Sequence, residues 1–286
     1  MKIAISMLAL IIATLMSNTS YASTCAGECG CPDDLGAGPC SYSWECIGSP
    51  CSLTLPNAEQ LGGYLSFGQY LCAVSGFEGG FTSASSSIYL VPNYDSNGYY
   101  TVLGYGSSTY HPTLDIYCVP YEWFSPGVTT TYGDWSLDVK AGYGSDRNLI
   151  AISDNFCYFM GLQGQLSGTE IRGAPSFGYV STESSDYILV AEATGTTNIQ
   201  DFASCVQFSG HHTTAYYATV AGSNVVLPPL SQAFCAVTNV QGPWDYTTSQ
   251  GQAWGGIVIS GNTQTLEVSS ASSNTLIGVT CINYDN

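Results

Sequence analysis

Acidic side chains at short spacing are the first candidates for chemistry in this chain. Asp134 with Asp138, and Glu183 with Asp186, are close enough in sequence to act as carboxylate pairs. Two carboxyl groups that flank a glycosidic bond are the usual machinery of a glycoside hydrolase. Neither pair differs from the ordinary acidic residues of loops, however. We therefore keep a secreted hydrolase as a third hypothesis and predict that the chain is not an enzyme.

The histidines offer little for acid–base or metal chemistry. His211 and His212 are adjacent, so on a strand their side chains would point to opposite faces and would not easily share one metal ion. His111 precedes Pro112 in a predicted turn. The chain also lacks the nucleophile elbow of serine hydrolases, the paired histidines of zinc proteases and the phosphate-binding P-loop. We predict no catalytic residue, no metal ligand and no cofactor.

One segment imitates the start of a calcium-binding loop. Residues 93–98 place oxygen-bearing side chains at alternate positions and Gly98 sixth, but the twelfth position is Gly104 instead of glutamate. A hairpin turn through Asn97 and Gly98 accounts for the same residues, and we prefer it. Calcium bound elsewhere by scattered carboxylates is left open.

Aromatic residues are a stronger indication of function. The chain has 21 tyrosines and 5 tryptophans, and these side chains present a flat apolar face with a polar edge, which suits stacking on sugar rings and packing in interfaces. Antiparallel sheets also favour Tyr and Trp for structural reasons alone. We predict that Trp123, Trp135 and Trp254 are exposed contact residues for a ligand.

The elements that position these residues recur three times. Segments that begin at Cys72, Cys157 and Cys235 align without a gap, and each is followed after a similar interval by a second cysteine. Such self-similarity indicates tandem units. The fifth aligned position predicts a bulge or a left-handed turn, because glycine and asparagine accept a positive φ readily. Its residues are Gly76, Gly161 and Asn239, and the eighth position is always glycine (Gly79, Gly164 and Gly242). Trp244 aligns with Phe81 and Leu166, which predicts a core position.

Twelve cysteines in an exported chain predict disulfides. The repeats give three local pairs: Cys72 with Cys118, Cys157 with Cys205, and Cys235 with Cys281. The pairing of the other six is left open, because spacing alone does not choose among the alternatives. A zinc site in that segment is a weaker hypothesis, since no C-x-x-C pair occurs there. The six are Cys25, Cys29, Cys31, Cys40, Cys46 and Cys51.

Runs of β-branched and aromatic residues bounded by turn residues predict an all-β fold of antiparallel strands. We divide the chain into a signal peptide (1–22), a cysteine-rich disulfide segment (23–52) and three β repeats (53–140, 141–222 and 223–286). Whether the repeats close into one body or lie in a row is left open.

Charge restricts the partners. The chain has 4 basic and 21 acidic side chains, and Lys2 belongs to the predicted signal peptide. Nucleic acids and anionic membranes are therefore predicted not to bind. We predict a secreted, extracellular binding or adhesion protein for a neutral glycan or a protein surface. The alternative is a structural subunit of an extracellular coat, matrix or filament that self-associates through low charge and exposed strand edges.

Overall fold

The computed structural model describes residues 40–46, 50–57, 63–79, 81, 85–92, 97–106, 112–125, 127–140, 144–151, 154–164, 171–172, 186–193, 199–241, 244, 246–247, 251–270 and 275–285. The predicted signal peptide and most of the cysteine-rich segment lie outside these residues, as do His111, Glu183 and the first part of the calcium-like loop.

The described residues form strands and one 3-10 turn (Tyr121–Trp123), which confirms the all-β prediction. The strands are β1 (Cys40–Glu45), β2 (Cys51–Thr54), β3 (Pro56–Asn57), β4 (Gly63–Tyr64), β5 (Tyr70–Glu78), β6 (Ser87–Pro92), β7 (Tyr100–Tyr105), β8 (Thr113–Pro120), β9 (Val128–Val139), β10 (Gly144–Ala151), β11 (Asn155–Gly164), β12 (Ile171–Arg172), β13 (Asp186–Ala193), β14 (Ile199–Phe208), β15 (Thr214–Val220), β16 (Asn224–Val226), β17 (Ala233–Gln241), β18 (Tyr246–Thr247), β19 (Gly251–Gln252), β20 (Trp254–Ser260), β21 (Thr263–Ser269) and β22 (Leu276–Asn283).

Each repeat contains an opening strand with its first cysteine (β5, β11 or β17) and a closing strand with its second (β8, β14 or β22). The two strands pair antiparallel, with the cysteines directly opposite each other. Disulfides join Cys72 to Cys118, Cys157 to Cys205, and Cys235 to Cys281, the pairs expected from the repeat. A further disulfide joins Cys46 to Cys51 and so connects β1 to β2, and Cys40 is also disulfide-bonded.

A β-bulge interrupts each opening strand immediately before the fifth aligned position, as predicted. The register shifts between Val74 and Gly76 in β5, and at the matching places in β11 and β17. Of the three fifth-position residues, only Gly161 has a positive φ, of 148°. The bulge therefore recurs in every repeat, whereas a positive φ at the fifth aligned position occurs in the second repeat alone.

Strand order shows that the repeats share their sheets. The first sheet has the order β1-β8-β5-β20-β21-β16, which joins the opening and closing strands of repeat 1 to a hairpin of repeat 3. The second sheet, β9-β14-β11-β6-β7-β2, joins those of repeat 2 to a hairpin of repeat 1. The strands β17 and β22 of repeat 3 form a sheet with β15, which precedes the predicted start of that repeat, and β17 lies against β12 of the sheet β12-β13-β10 from repeat 2.

Two hairpin exchanges and the contact between β17 and β12 link the three repeats, whose buried residues form one hydrophobic core. The opening strands β5, β11 and β17 contact one another inside it, and all but the last or next-to-last residue of each strand is buried on both faces. Aromatic rings link them: Phe77 lies 5.1 Å from Phe159, and Phe156 lies 6.4 Å from Phe234, between ring centroids. The repeat boundaries proposed from the sequence remain predictions.

The close approach of β6 to the bulge of β11 makes Gly161 a sensitive position. A Cβ atom there would overlap the backbone of Ile88 and Tyr89, and the φ of 148° is one that side-chain-bearing residues rarely adopt. We expect Gly161→Ala to lower the free energy of unfolding by about 3 kcal/mol, measured by guanidinium chloride denaturation. Gly222 is the control, because its φ is also positive (82°) but no atom lies within 4 Å of its added Cβ. Gly222→Ala should cost only about 1 kcal/mol, and equal losses in the two variants would contradict the overlap.

Candidate binding site on the first sheet

The structure places the three predicted contact tryptophans apart. Trp123, in the 3-10 turn, is partly buried and packs edge-on against Tyr284 with centroids 5.4 Å apart. Trp135 lies on β9 of the second sheet, opposite Ala203, and its side chain is outside the described part of the chain. Trp254 begins β20 of the first sheet and is partly buried. Of the two whose side chains are described, Trp254 is the one with surroundings that suggest a ligand site.

A row of small and polar residues crosses the outer face of the first sheet. In register across its six strands lie Asn224, Glu267, Gly256, Gly76, Asp115 and Ser43. The end residues Asn224 and Ser43 are exposed and the two acids are partly exposed, whereas the alternate residues Leu266 and Ile257 are buried. The two ends of the row therefore face solvent, whereas its two central glycines are buried, with a partly exposed carboxylate on each side of them.

The two central glycines are required by the packing of the strands. A Cβ atom on Gly256 would lie 2.7 Å from the Cα of Gly76, and one on Gly76 would lie 2.9 Å from Oδ2 of Asp115. Real Cβ atoms do not approach that closely, so neither position accepts a side chain without movement of its neighbours. The result is a strip without side chains where the hairpin of repeat 3 meets the opening strand of repeat 1.

Trp254 extends across this strip. Its indole Nε1–H donates a hydrogen bond of 3.2 Å to Oδ2 of Asp115, which lies two strands away on β8. The intervening strand is β5, and Gly76 pairs there with Asp115. Since Gly76 has no side chain, the indole can pass over β5 and reach the carboxylate.

We call Trp254, Gly256, Val258, Glu267, Gly76 and Asp115 the Trp254 platform. It combines an apolar ring, the 38% exposed side chain of Val258 and two carboxylates. Carboxylate oxygens accept hydrogen bonds, and aromatic faces pack on apolar C–H surfaces. A sugar ring offers both an apolar face and hydroxyl donors, whereas an anion would meet like charges. The platform thus suits a neutral, hydroxyl-rich ligand.

The corresponding place on the second sheet has different chemistry. Tyr89 and Phe202 flank Gly161 on neighbouring strands, and their rings stack over it with centroids 4.2 Å apart and planes 13° apart. Beside them is an apolar groove of about 240 Å³, lined also by Val91, Leu103, Ser136 and Met160. Sequence reasoning missed this groove, because the stacking pair comes from different repeats.

The other predicted features have ordinary structural surroundings or lie outside the description. His211 is exposed and His212 is buried, with Nδ1 2.9 Å from the carbonyl oxygen of Asn283. Among the described residues, no group of three or more His, Cys, Asp or Glu side chains could hold a metal ion. Asp138 is exposed, and the side chains of Asp134 and Asp186 are not described. Trp244 is 1% exposed, in agreement with its predicted core position.

Asp201 is a buried carboxyl group that sequence reasoning did not identify. It is 1% exposed, its register neighbours are Leu162 and Leu137, and its Oδ2 atom has no hydrogen-bond partner. Burial raises the pKa of Asp201 from 3.8 to about 8, because removal from water disfavours the charged form. The sequence did hold one indication that Asp201 is buried. Residues of a strand alternate between its two faces, so Asp201 lies on the same face as the apolar Ile199 and Ala203.

Comparisons with known proteins do not assign the chain to a family. No protein-family model matches it, and no curated protein is similar to it at a significant level. A solved structure described as "The Triple Jelly Roll Fold and Turret Assembly in an Archaeal Virus" aligns with 83% of this chain and 89% of its own, at 9% identity and a TM-score of 0.18. A likeness at that level carries no conclusion about fold or function.

No helix in the described ranges has the length and apolar character needed to cross a membrane.

Proposed function

We propose that the chain is a secreted extracellular binding protein whose ligand is a neutral glycan held on the Trp254 platform. The observation that carries the proposal is the partly exposed indole of Trp254, which is hydrogen-bonded to Asp115 and has a second partly exposed carboxylate, Glu267, on the neighbouring strand. Disulfides are typical of exported proteins, which supports the extracellular location.

The chemistry of the platform favours a sugar over other extracellular ligands. The C–H face of a pyranose would pack on the indole, and its hydroxyl groups would donate to carboxylate oxygens of Glu267. Sulfated or sialylated glycans would be repelled by the carboxylates of the platform and by the net charge of −17. A rigid, disulfide-bonded sheet also holds these groups in place before binding, which reduces the entropy lost on association.

We expect the secreted protein to bind neutral oligosaccharides on a glycan array and to ignore sulfated ones. Trp254→Ala should weaken that binding by about 30-fold, as expected for a central tryptophan contact. Trp123→Phe is the control, since Trp123 lies in the 3-10 turn after β8, packs against Tyr284 and is not a residue of the platform. Undiminished binding by a correctly folded Trp254→Ala protein would remove the platform from consideration.

A structural subunit of an extracellular assembly is the second candidate, and one observation favours it. Val226 on the edge strand β16 is 70% exposed and lies in register with Thr265 and with Val258, which is 38% exposed. Exposed apolar residues on a sheet edge promote pairing between copies. Sedimentation velocity over a wide concentration range distinguishes the two: a binding protein stays monomeric without ligand, and a structural subunit forms larger species.

A further inference from the structure

We infer that Asp115 is a positioning residue for the glycan site, and that the site exists only where repeats 1 and 3 meet. The inference rests on the proposed function. Trp254 and Glu267 belong to the hairpin β20-β21 of repeat 3, whereas Gly76 and Asp115 belong to β5 and β8 of repeat 1. The site is therefore assembled by the pairing of β20 with β5.

Asp115 acts through the indole. Without an acceptor for Nε1–H, the ring of Trp254 would keep its attachment to β20 but lose the 3.2 Å hydrogen bond that holds it over Gly76. A hydrogen bond to a charged group is among the stronger ones in proteins, and Asp115 supplies it from the strand beyond β5. The carboxylate thereby fixes both the height and the direction of the ring on which a sugar would stack.

The absence of a side chain at Gly76 allows the indole of Trp254 to reach Asp115. A side chain at Gly76 would meet Asp115 Oδ2 at 2.9 Å and the carbonyl oxygen of Gly255 at 3.1 Å, and so would occupy the space between the two partners. The equivalent glycine of the second repeat, Gly161, is covered by the Tyr89–Phe202 stack instead. The acid–indole pair is accordingly a property of the first sheet and not of the repeat in general.

Nuclear magnetic resonance of the indole Nε1–H of Trp254 tests the inference with and without sugar. The resonance is assigned by its loss in Trp254→Phe. In the absence of sugar, hydrogen exchange at this proton should be slow in the parent and in Asp115→Asn, whose amide oxygen still accepts a hydrogen bond. Exchange should be at least about tenfold faster in Asp115→Ala. Asp138→Ala, which removes an exposed carboxylate from the second sheet, should not change it.

The same resonance is then followed during titration with methyl β-D-glucopyranoside, methyl β-D-galactopyranoside and methyl α-D-mannopyranoside. We expect at least one to shift it in the parent, with affinity lowered about tenfold in Asp115→Ala and within about threefold of the parent in Asp115→Asn. Unchanged exchange or unchanged affinity in Asp115→Ala would overturn the positioning role while leaving glycan binding intact. A slowly exchanging Nε1–H in the parent that none of the three sugars shifts would overturn the glycan function, and the positioning role with it.

Discussion

Asp201→Asn should make the protein more stable at neutral and mildly alkaline pH. The folded state holds Asp201 buried between Leu162 and Leu137, with its pKa raised to about 8, whereas the unfolded chain has the ordinary value of 3.8. Between these two values the unfolded state releases the proton and the folded state keeps it. Unfolding is therefore favoured as the pH rises, by up to about 1.4 kcal/mol per pH unit.

The expected difference between the two proteins follows from this titration. An asparagine does not ionise, so the variant should gain little relative to the parent near pH 4 and about 5 kcal/mol by pH 8. Above pH 8 the difference should level off, because both states of the parent are then ionised. Guanidinium chloride denaturation at a series of pH values measures it.

Asp138→Asn is the matched control for Asp201→Asn. Asp138 lies on β9, directly opposite Gln200, the neighbour of Asp201, and its side chain is exposed. The substitution removes the same charge from the same region without altering a buried group, so the pH dependence should stay that of the parent. If Asp201→Asn shows the parental slope between pH 4 and pH 8, the buried carboxyl group is ionised in the folded protein and our account of it is wrong.

Removal of the disulfide between Cys157 and Cys205 should lower the free energy of unfolding by about 4 kcal/mol in the chain-entropy description. The bridge spans a sequence separation of 48 residues, and both cysteines are fully buried. In the double variant Cys157→Ala with Cys205→Ala, the segments that form β11 and β14 are no longer tied together in the unfolded chain. The unfolded chain therefore has more conformational freedom. Equilibrium denaturation of the parent and the variant gives the difference.

The disulfide between Cys46 and Cys51 provides the comparison, because its sequence separation is only 5. Replacing both of its cysteines by alanine should cost about 2 kcal/mol on the same entropic grounds. A loss that is equal for the two bridges would show that loop closure is not the source of the stabilisation. Lost packing around the buried sulfurs would then be the better explanation.

The local framework of the fold could be predicted from the sequence, because cysteine, glycine and strand signals act over short distances. The bulge before Gly76, Gly161 and Asn239 was indicated by glycine or asparagine inside an apolar strand, although only Gly161 has a positive φ. Gly98 and Gly261, which lie in the connections β6–β7 and β20–β21 between paired antiparallel strands, have positive φ values of 83° and 59°. These features depend on a few neighbouring residues, which the sequence displays directly.

The exchange of hairpins between repeats could not be predicted. The opening strands β5, β11 and β17 share one apolar pattern, so the hairpin of any repeat could pair equally well with each of them on sequence grounds. The choice depends on how the sheets of the three repeats pack around the contacts between those strands. That packing involves all three repeats together, so the sequence of a single segment does not predict it.

Of the candidate site, the sequence predicted a contact role for Trp254 but not for the residues around it. Trp254 is one of three tryptophans chosen for their aromatic faces, but Asp115 is 139 residues away from it in sequence. The acidic residues do not recur with the repeat, so no alignment of the three units could pair them. Gly76 was predicted as a bulge residue, and its role in admitting the indole became visible only with strand order.

The most direct test of glycan binding on the Trp254 platform is a backbone amide chemical-shift map of the protein, titrated with the neutral oligosaccharide that the array retains best. We expect the largest shifts at Trp254, Gly256 and Glu267 of repeat 3 and at Gly76 and Asp115 of repeat 1, because these residues surround the same strip of the first sheet. Shifts confined to the groove beside Tyr89 and Phe202, with none on the first sheet, would contradict the assignment.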